Sequence, residues 1–291
     1  MTGSDVKRPD PIHEPFRCIL VGISSEGEAK ATPALHQAID LAKAEKAALS
    51  LYVFAPRLRE PSPMSGVAAS TWLAEESERL EKFTSEATRR RALDIVGQAG
   101  LDVVSEHPHS PFESRSGRFV QLARVHDLTI LDAADISDTP QRTIIEDVLF
   151  DSGRPALLIP SHSGTVRPRR IAIAWDGSAR SARAVKDALP LLAFAEAVVA
   201  VTVEGEKDLS RMAPGADLAS YLARHGVECK LATLAAEARD AAQRLRLFIT
   251  DEDMDMIVMG AFVHSRFQQA ILGGFTRSLI DEPPVPLFMA H

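Results

Sequence analysis

The sequence predicts an α/β protein built from two doubly wound, open, parallel five-stranded sheets in tandem. Three observations carry this. Short, continuous apolar runs alternate with alanine-rich or amphipathic helical segments, the pattern of strands buried on both faces of a parallel sheet. The same order of segments occurs twice along the 291 residues. Between the two passes lies SHSGTVRPRR (161–170), rich in Ser, Gly, Pro and Arg and without apolar periodicity.

The first strands are RCILVGIS (17–24) and RRIAIAWD (169–176), each an apolar run closed by a turn. A helix follows each. In the first half Thr32 suits an N-cap and Pro33 the first helical position, leading into ALHQAIDLAKAEK. In the second half SARSARAVKDALPLL (178–192) plays the same part. The second strands are ALSLYVFAP (48–56) and AVVAVTVEG (197–205). The third follow Gly100 and Gly226, as LDVVSE and VECKLATL. The fourth are DLTILDA (127–133) and DMIVMGA (255–261), and the fifth RPALLIP (154–160) and VPLFMAH (285–291). First strands are offset by 152 residues and fourth strands by 128, so the first half carries 24 extra residues. They fall around a long helix, about 71–98, where the second half has a short one near 218–224. Trp72, Leu80, Phe83, Ala87 and Leu93 read as core or interface positions of that helix. Strand–helix alternation at this spacing implies right-handed crossovers. The expected domains are 16–160 and 169–291, joined by a linker at 161–168 and preceded by a disordered tail at 1–15.

Hydrophobic residues make up 45% and charged residues 25%, the balance of a folded chain. A net charge of −7 argues against a nucleic-acid partner, which needs a basic surface. Cys18 and Cys229 share no short-spacing motif, so neither a disulfide framework nor a cysteine zinc site is expected, and both read as buried thiols. The first residues contain no apolar secretory core. The nearest approach to a membrane span, Leu189 to Val203, contains Glu196. A reducing cytoplasm fits this reading, with no membrane partner.

In an open doubly wound sheet, ligands bind beyond the carboxyl ends of the strands, where strand order reverses. For the order 3-2-1-4-5 that point lies between strands 1 and 4. In the second half the residues there are Asp176-Gly177-Ser178, then Gly260 with Val263, His264 and Arg266. The loop ends at Gly273-Gly274-Phe275-Thr276, which opens a helix, and Val203 at the end of the second strand joins the set. Glycines before a helix N-terminus let backbone N–H groups approach a phosphate, and the helix dipole favours its charge. Asp176 could accept a hydrogen bond from an adenine amino group. Asp is equally a turn and N-cap residue, and either glycine alone suits a turn. Their combination at one switch point is what indicates a nucleotide.

The segment MGAFVHSRFQQAILGGFTRSLIDEPPVPLFMAH (259–291) resembles the carboxyl end of universal stress protein domains. That family's pattern after the fourth strand is Gly, two residues, Gly, nine residues, Gly, then Ser or Thr. Gly260 and Gly273 match the first and third glycines, and Asp176 matches the family's aspartate after strand 1. The resemblance covers nearly the whole chain, as a tandem pair. It implies the 3-2-1-4-5 order, a cytoplasmic stress-response role, ATP (with Mg) as ligand, no strong catalysis, and pseudo-twofold pairing of the two domains through their fifth strands. The family's habit of pairing also implies a homodimer, for which Trp72 and Phe83 are the candidate anchors. There are departures. Val263 stands at the middle glycine and Gly274 at the Ser/Thr position, with Thr276 close by. A β-branched residue held at positive φ costs about 1–3 kcal/mol. In the first half Ser24 replaces the aspartate, Asp132 and Asp135 stand near the loop glycines, and Arg142 and Thr143 take the last two positions. Carboxylates there would repel a phosphate. The first half is therefore expected to be a structural partner, leaving at most one ATP per chain.

Two other functions stay open from the sequence. One is an interaction protein with a decayed nucleotide site. The other is an adenine-nucleotide-dependent enzyme, which would need a catalytic group near Asp176 or His264. Remaining features weigh less. His107-Pro108-His109 lacks a third metal ligand, His264 and Arg266 suit either phosphate or solvent, and Asp251-Glu252-Asp253 reads as a solvated helix end rather than a metal site. No Gly-x-Ser-x-Gly elbow, Walker A motif or HExxH occurs.

Overall fold

The structure is a computed structural model that describes residues 14–25, 32–54, 79, 85–106, 116–133, 139–163, 167–204, 215–235, 241–261 and 274–291. Among these, the first half contains β1 (Cys18–Ser24), α1 (Pro33–Glu45), β2 (Ala48–Phe54), α2 (Glu86–Gln98), β3 (Val103–Glu106), α3 (Gly117–Ala123), β4 (Leu128–Ala133), α4 (Thr139–Asp151) and β5 (Ala156–Pro160). The second half contains β6 (Arg170–Ala174), α5 (Ala179–Asp187), α6 (Leu189–Leu192), β7 (Ala197–Glu204), α7 (Ala216–Arg224), β8 (Cys229–Ala235), α8 (Ala241–Asp251), β9 (Met256–Gly260), α9 (Gly274–Asp281) and β10 (Leu287–Ala290).

The strands form one continuous sheet in the order β3-β2-β1-β4-β5-β10-β9-β6-β7-β8. Each half therefore runs 3-2-1-4-5, as expected. Neighbours within a half are parallel, whereas β5 and β10 pair antiparallel, with Leu287 opposite Leu158 and Met289 opposite Ala156. The fifth strands thus close each other's edges within one chain, and the two sheets merge into one.

Alternation along the strands feeds two apolar layers. Ile19, Val21 and Ile23 of β1 face the layer under α1, α2, α5, α6 and α7, while Leu20 faces the layer under α3, α4, α8 and α9. Both layers contain residues from both halves. Thr32 caps α1, its hydroxyl accepting the Leu35 N–H at 3.2 Å, and Pro33 takes the first turn. A carboxylate before each fourth strand ties down the start of the first. Asp127 accepts the Arg17 and Cys18 N–H groups at 2.7 and 3.0 Å, and Asp255 accepts those of Arg169 and Arg170, both at 2.8 Å. Across the junction of the halves, the Phe150 and His291 rings meet edge-on at 5.2 Å, Arg142 pairs with Asp281, and Arg183 donates to the Gly153 carbonyl.

Several expectations are corrected. The helix expected over 178–192 is two helices, α5 and α6, breaking at Ala188 just before Leu189-Pro190. Of the long helix, the described part is α2, in which Ala87 is exposed and Thr88, Ala92 and Val96 are buried, with Leu93 half-buried. Trp72, Leu80 and Phe83 lie outside the described residues, as do His107 and His109. Both cysteines are free and half-buried rather than buried, because each opens its strand and β8 is a sheet edge. Asp251, Glu252 and Asp253 are exposed at the end of α8, where Glu252 lies 3.9 Å from Arg170. No helix among the described residues is long and apolar enough to cross a membrane.

Candidate functional site

The second-half switch point lies between the carboxyl ends of β6 and β9. β6 ends at Ala174, and the Trp175 N–H makes one more bond, to the Val201 carbonyl at 2.9 Å. The chain then turns. The Asp176 carboxylate accepts the Ser178 N–H at 2.9 Å, and Gly177 takes the left-handed φ of 69° that closes such a turn. Ser178 caps α5 by accepting the Ser181 N–H at 3.2 Å. The turn role weighed for Asp176 in the sequence is therefore present, and it holds the half-buried carboxylate at the mouth of the cleft. Extending the β6–β7 register places Asp176 beside Val203, which is also half-buried and packs on the core.

Gly260 ends β9 directly under α5. An added Cβ would lie 2.7 Å from the Ser181 nitrogen and 2.8 Å from the Arg180 carbonyl carbon. The sequence assigned this glycine to approach of a ligand; the structure shows that approach of the helix already requires it. On the far side of the cleft, Gly274 opens α9 and is exposed, and an added Cβ there meets nothing within 4 Å among the described residues. Phe275 packs against the core and Thr276 is fully buried, so at this helix start Gly274 alone presents open backbone. Thr276 thus belongs to the packing of α9 rather than to an exposed Ser/Thr position. Val263, His264, Arg266 and Gly273 lie outside the described residues. The described members, Asp176, Gly177, Ser178, Val203, Gly260 and Gly274, gather at the ends of β6, β7 and β9 and at the starts of α5 and α9, around the reversal of strand order.

Residues 168–291 match the sequence model of the universal stress protein family. The chain also superposes on solved structures along nearly all of its length. A universal stress protein from Archaeoglobus fulgidus DSM 4304 aligns over 94% of this chain and 97% of its own, with a TM-score of 0.67 and 16% identity. A putative universal stress protein from Pseudomonas aeruginosa UCBPP-PA14 aligns over 95% and 94%, with a TM-score of 0.57 and 16% identity. A functionally unknown protein from Pseudomonas aeruginosa PAO1 aligns over 95% and 93%, at the same score and identity. These likenesses establish the fold. No curated protein sequence matches the chain.

Compared with the second half, the first half is built differently at the matching strand ends. Asp132 stands at the position of Gly260, and its carboxylate accepts the Ala34 N–H at 2.8 Å in the first turn of α1. Burial pushes its pKa up to about 6, against the lowering effect of the Ala34 N–H and the Thr32 hydroxyl. Phe54 stands at the position of Val203 and is 1% exposed. Its ring packs on Phe119 at 4.8 Å and Tyr52 at 5.2 Å. Gly22 makes room for this cluster, since an added Cβ would lie 2.7–2.8 Å from Phe119, Phe54 and Leu131. Ser25 closes the strand end by donating to the Phe54 carbonyl at 2.7 Å. Arg142, expected at the last glycine position, instead reaches across the junction to Asp281. Asp135 lies outside the described residues. The capping role of Asp132 and the aromatic plug were missed from sequence, although Gly22 inside a strand and two aromatics at the end of β2 were visible signals.

Proposed function

We propose that the second half binds an adenine nucleotide, ATP among them, between the carboxyl ends of β6 and β9, and that the chain acts as a stress-response binding protein without strong catalysis. One observation carries the reading: the half-buried Asp176 carboxylate and the exposed start of α9 at Gly274 flank the point where strand order reverses. The described residues fit the ligand. Asp176 and Val203 would meet the base, and the exposed start of α9 at Gly274 would meet phosphate through backbone N–H groups. Val263, His264, Arg266 and Gly273 complete the proposed site. Magnesium would screen the phosphate charge when bound. Among the described cleft residues Asp176 supplies the sole carboxylate, and it already accepts a backbone N–H, which supports binding over hydrolysis. The proposal includes a cytoplasmic setting, a homodimer, and domains at 16–160 and 169–291 with a linker at 161–168.

Calorimetric titration of the full chain with ATP tests this. We expect one site per chain. Asp176→Ala should weaken it by about 1–3 kcal/mol, the scale of a hydrogen bond to a charged group. Val263→Gly should preserve or tighten it. Two sites per chain, or one site indifferent to Asp176→Ala, would show the ligand to be elsewhere. Silence from the parent with binding restored by Val263→Gly would favour the second reading, an interaction protein with a decayed site, for which the β-branched residue at a glycine position is the specific observation.

A further inference from the structure

At the opposite end of the strands, where the amino ends of β1, β4 and β5 meet the carboxyl end of α5, the two halves line an open cavity of about 510 Å³. Its walls bring together four permanent cations, Arg17 and Arg154 from the first half and Arg183 and Lys186 from the second, with His225 at the rim. Three carboxylates share it: Glu14, Asp127 and Asp187. Asp127 Oδ2 accepts both the Arg17 and the Cys18 N–H groups, so that oxygen is committed to the backbone. Arg183 lies 3.7 Å from Asp187 and also bridges the halves through the Gly153 carbonyl. Arg154 donates to the Arg124 carbonyl at 3.2 Å through Nε.

We infer that this junction cavity is a second site, for a small anion bearing two or more phosphate or carboxylate groups. The volume suits a small metabolite. Cations drawn from both halves can each donate to a different oxygen of one ligand, which a single charge on one helix could not do. Asp187 is the internal competitor. Burial holds its carboxyl above the usual range even with Arg183, Lys186 and Arg154 around it. An incoming anion takes over those cations and raises Asp187 further, so binding draws in a proton and tightens as pH falls. The site is distinct from the nucleotide cleft, which lies at the carboxyl ends of the strands.

The test is calorimetry on the full chain with inorganic pyrophosphate in one arm and citrate in the other, at fixed ionic strength. Millimolar or tighter binding of at least one anion is expected. The combined Arg154→Ala and Lys186→Ala variant should weaken it about tenfold or more. Both side chains are exposed, and an unchanged melting temperature without ligand confirms the fold. Asp187→Asn should tighten binding several-fold, and Asp176→Ala should leave it unchanged. Preference for pyrophosphate assigns the site to phosphates, preference for citrate to polycarboxylates, and both outcomes support it. Binding of neither anion overturns the inference. So does binding that survives loss of Arg154 and Lys186, which would place the anion elsewhere on the chain.

Discussion

Asp132 shows how one carboxylate can act as a cap and a liability together. Its native pKa of about 6 exceeds the usual 3.8 because burial disfavours the charge. Between those values the folded chain holds a proton that the unfolded chain has released. Stability therefore falls as pH rises from about 4 to 6, and the loss is complete above that window, up to about 3 kcal/mol. Asp132→Asn keeps an acceptor for the Ala34 N–H and removes the charge. It should match the parent near pH 4, exceed it by up to about 3 kcal/mol at pH 7, and flatten the slope between. Urea denaturation at the two pH values measures this; a parent equally stable at both would refute it. From sequence, Asp132 was legible as a misfit for phosphate. Its partner was not, because Ala34 lies 98 positions away and only the fold brings that N–H to it.

The elements were legible where local rules decide them. Thr32-Pro33 announces α1, and unbroken apolar runs announce the strands, since a chain buried on both faces has no polar side to reveal. The break between α5 and α6 was signalled by Pro190 but overridden by the apolar pattern that runs from Ala188 to Leu192. The contact of β9 with α5 was hidden. A glycine at a strand end looks the same whether a ligand or a helix approaches it. Gly260→Ala discriminates. Its Cβ would collide with backbone at Arg180 and Ser181, so we expect a loss of about 1–3 kcal/mol by denaturant unfolding, together with weaker ATP binding as α5 shifts. Unchanged stability would mean that α5 yields freely. Ser178→Ala removes the cap of the same helix and should cost about 1 kcal/mol.

Across the whole molecule, the decisive pairing is β5 with β10. It was legible because each fifth strand ends its domain as an apolar edge. That both sheets would fuse into one of ten strands follows from the antiparallel ladder and not from either half alone. A fragment of residues 165–291 exposes β10, in which Leu287 to Ala290 are fully buried in the chain. It should self-associate or precipitate, and size-exclusion chromatography showing a well-behaved monomer at high concentration would count against this. For the intact chain, sedimentation should reveal a species heavier than 31.6 kDa if the proposed homodimer forms.

The β5–β10 ladder also has an evolutionary meaning. When two identical subunits pair about a dyad, every substitution appears on both sides, and a residue that improves one pocket alters its twin. Covalent tandem pairing removes that constraint. Asp132 and Phe54 on one side of the junction stand against Gly260 and Val203 at the matching places on the other. The two halves can therefore differ at matching positions, and their ratio is held at one to one at any dilution.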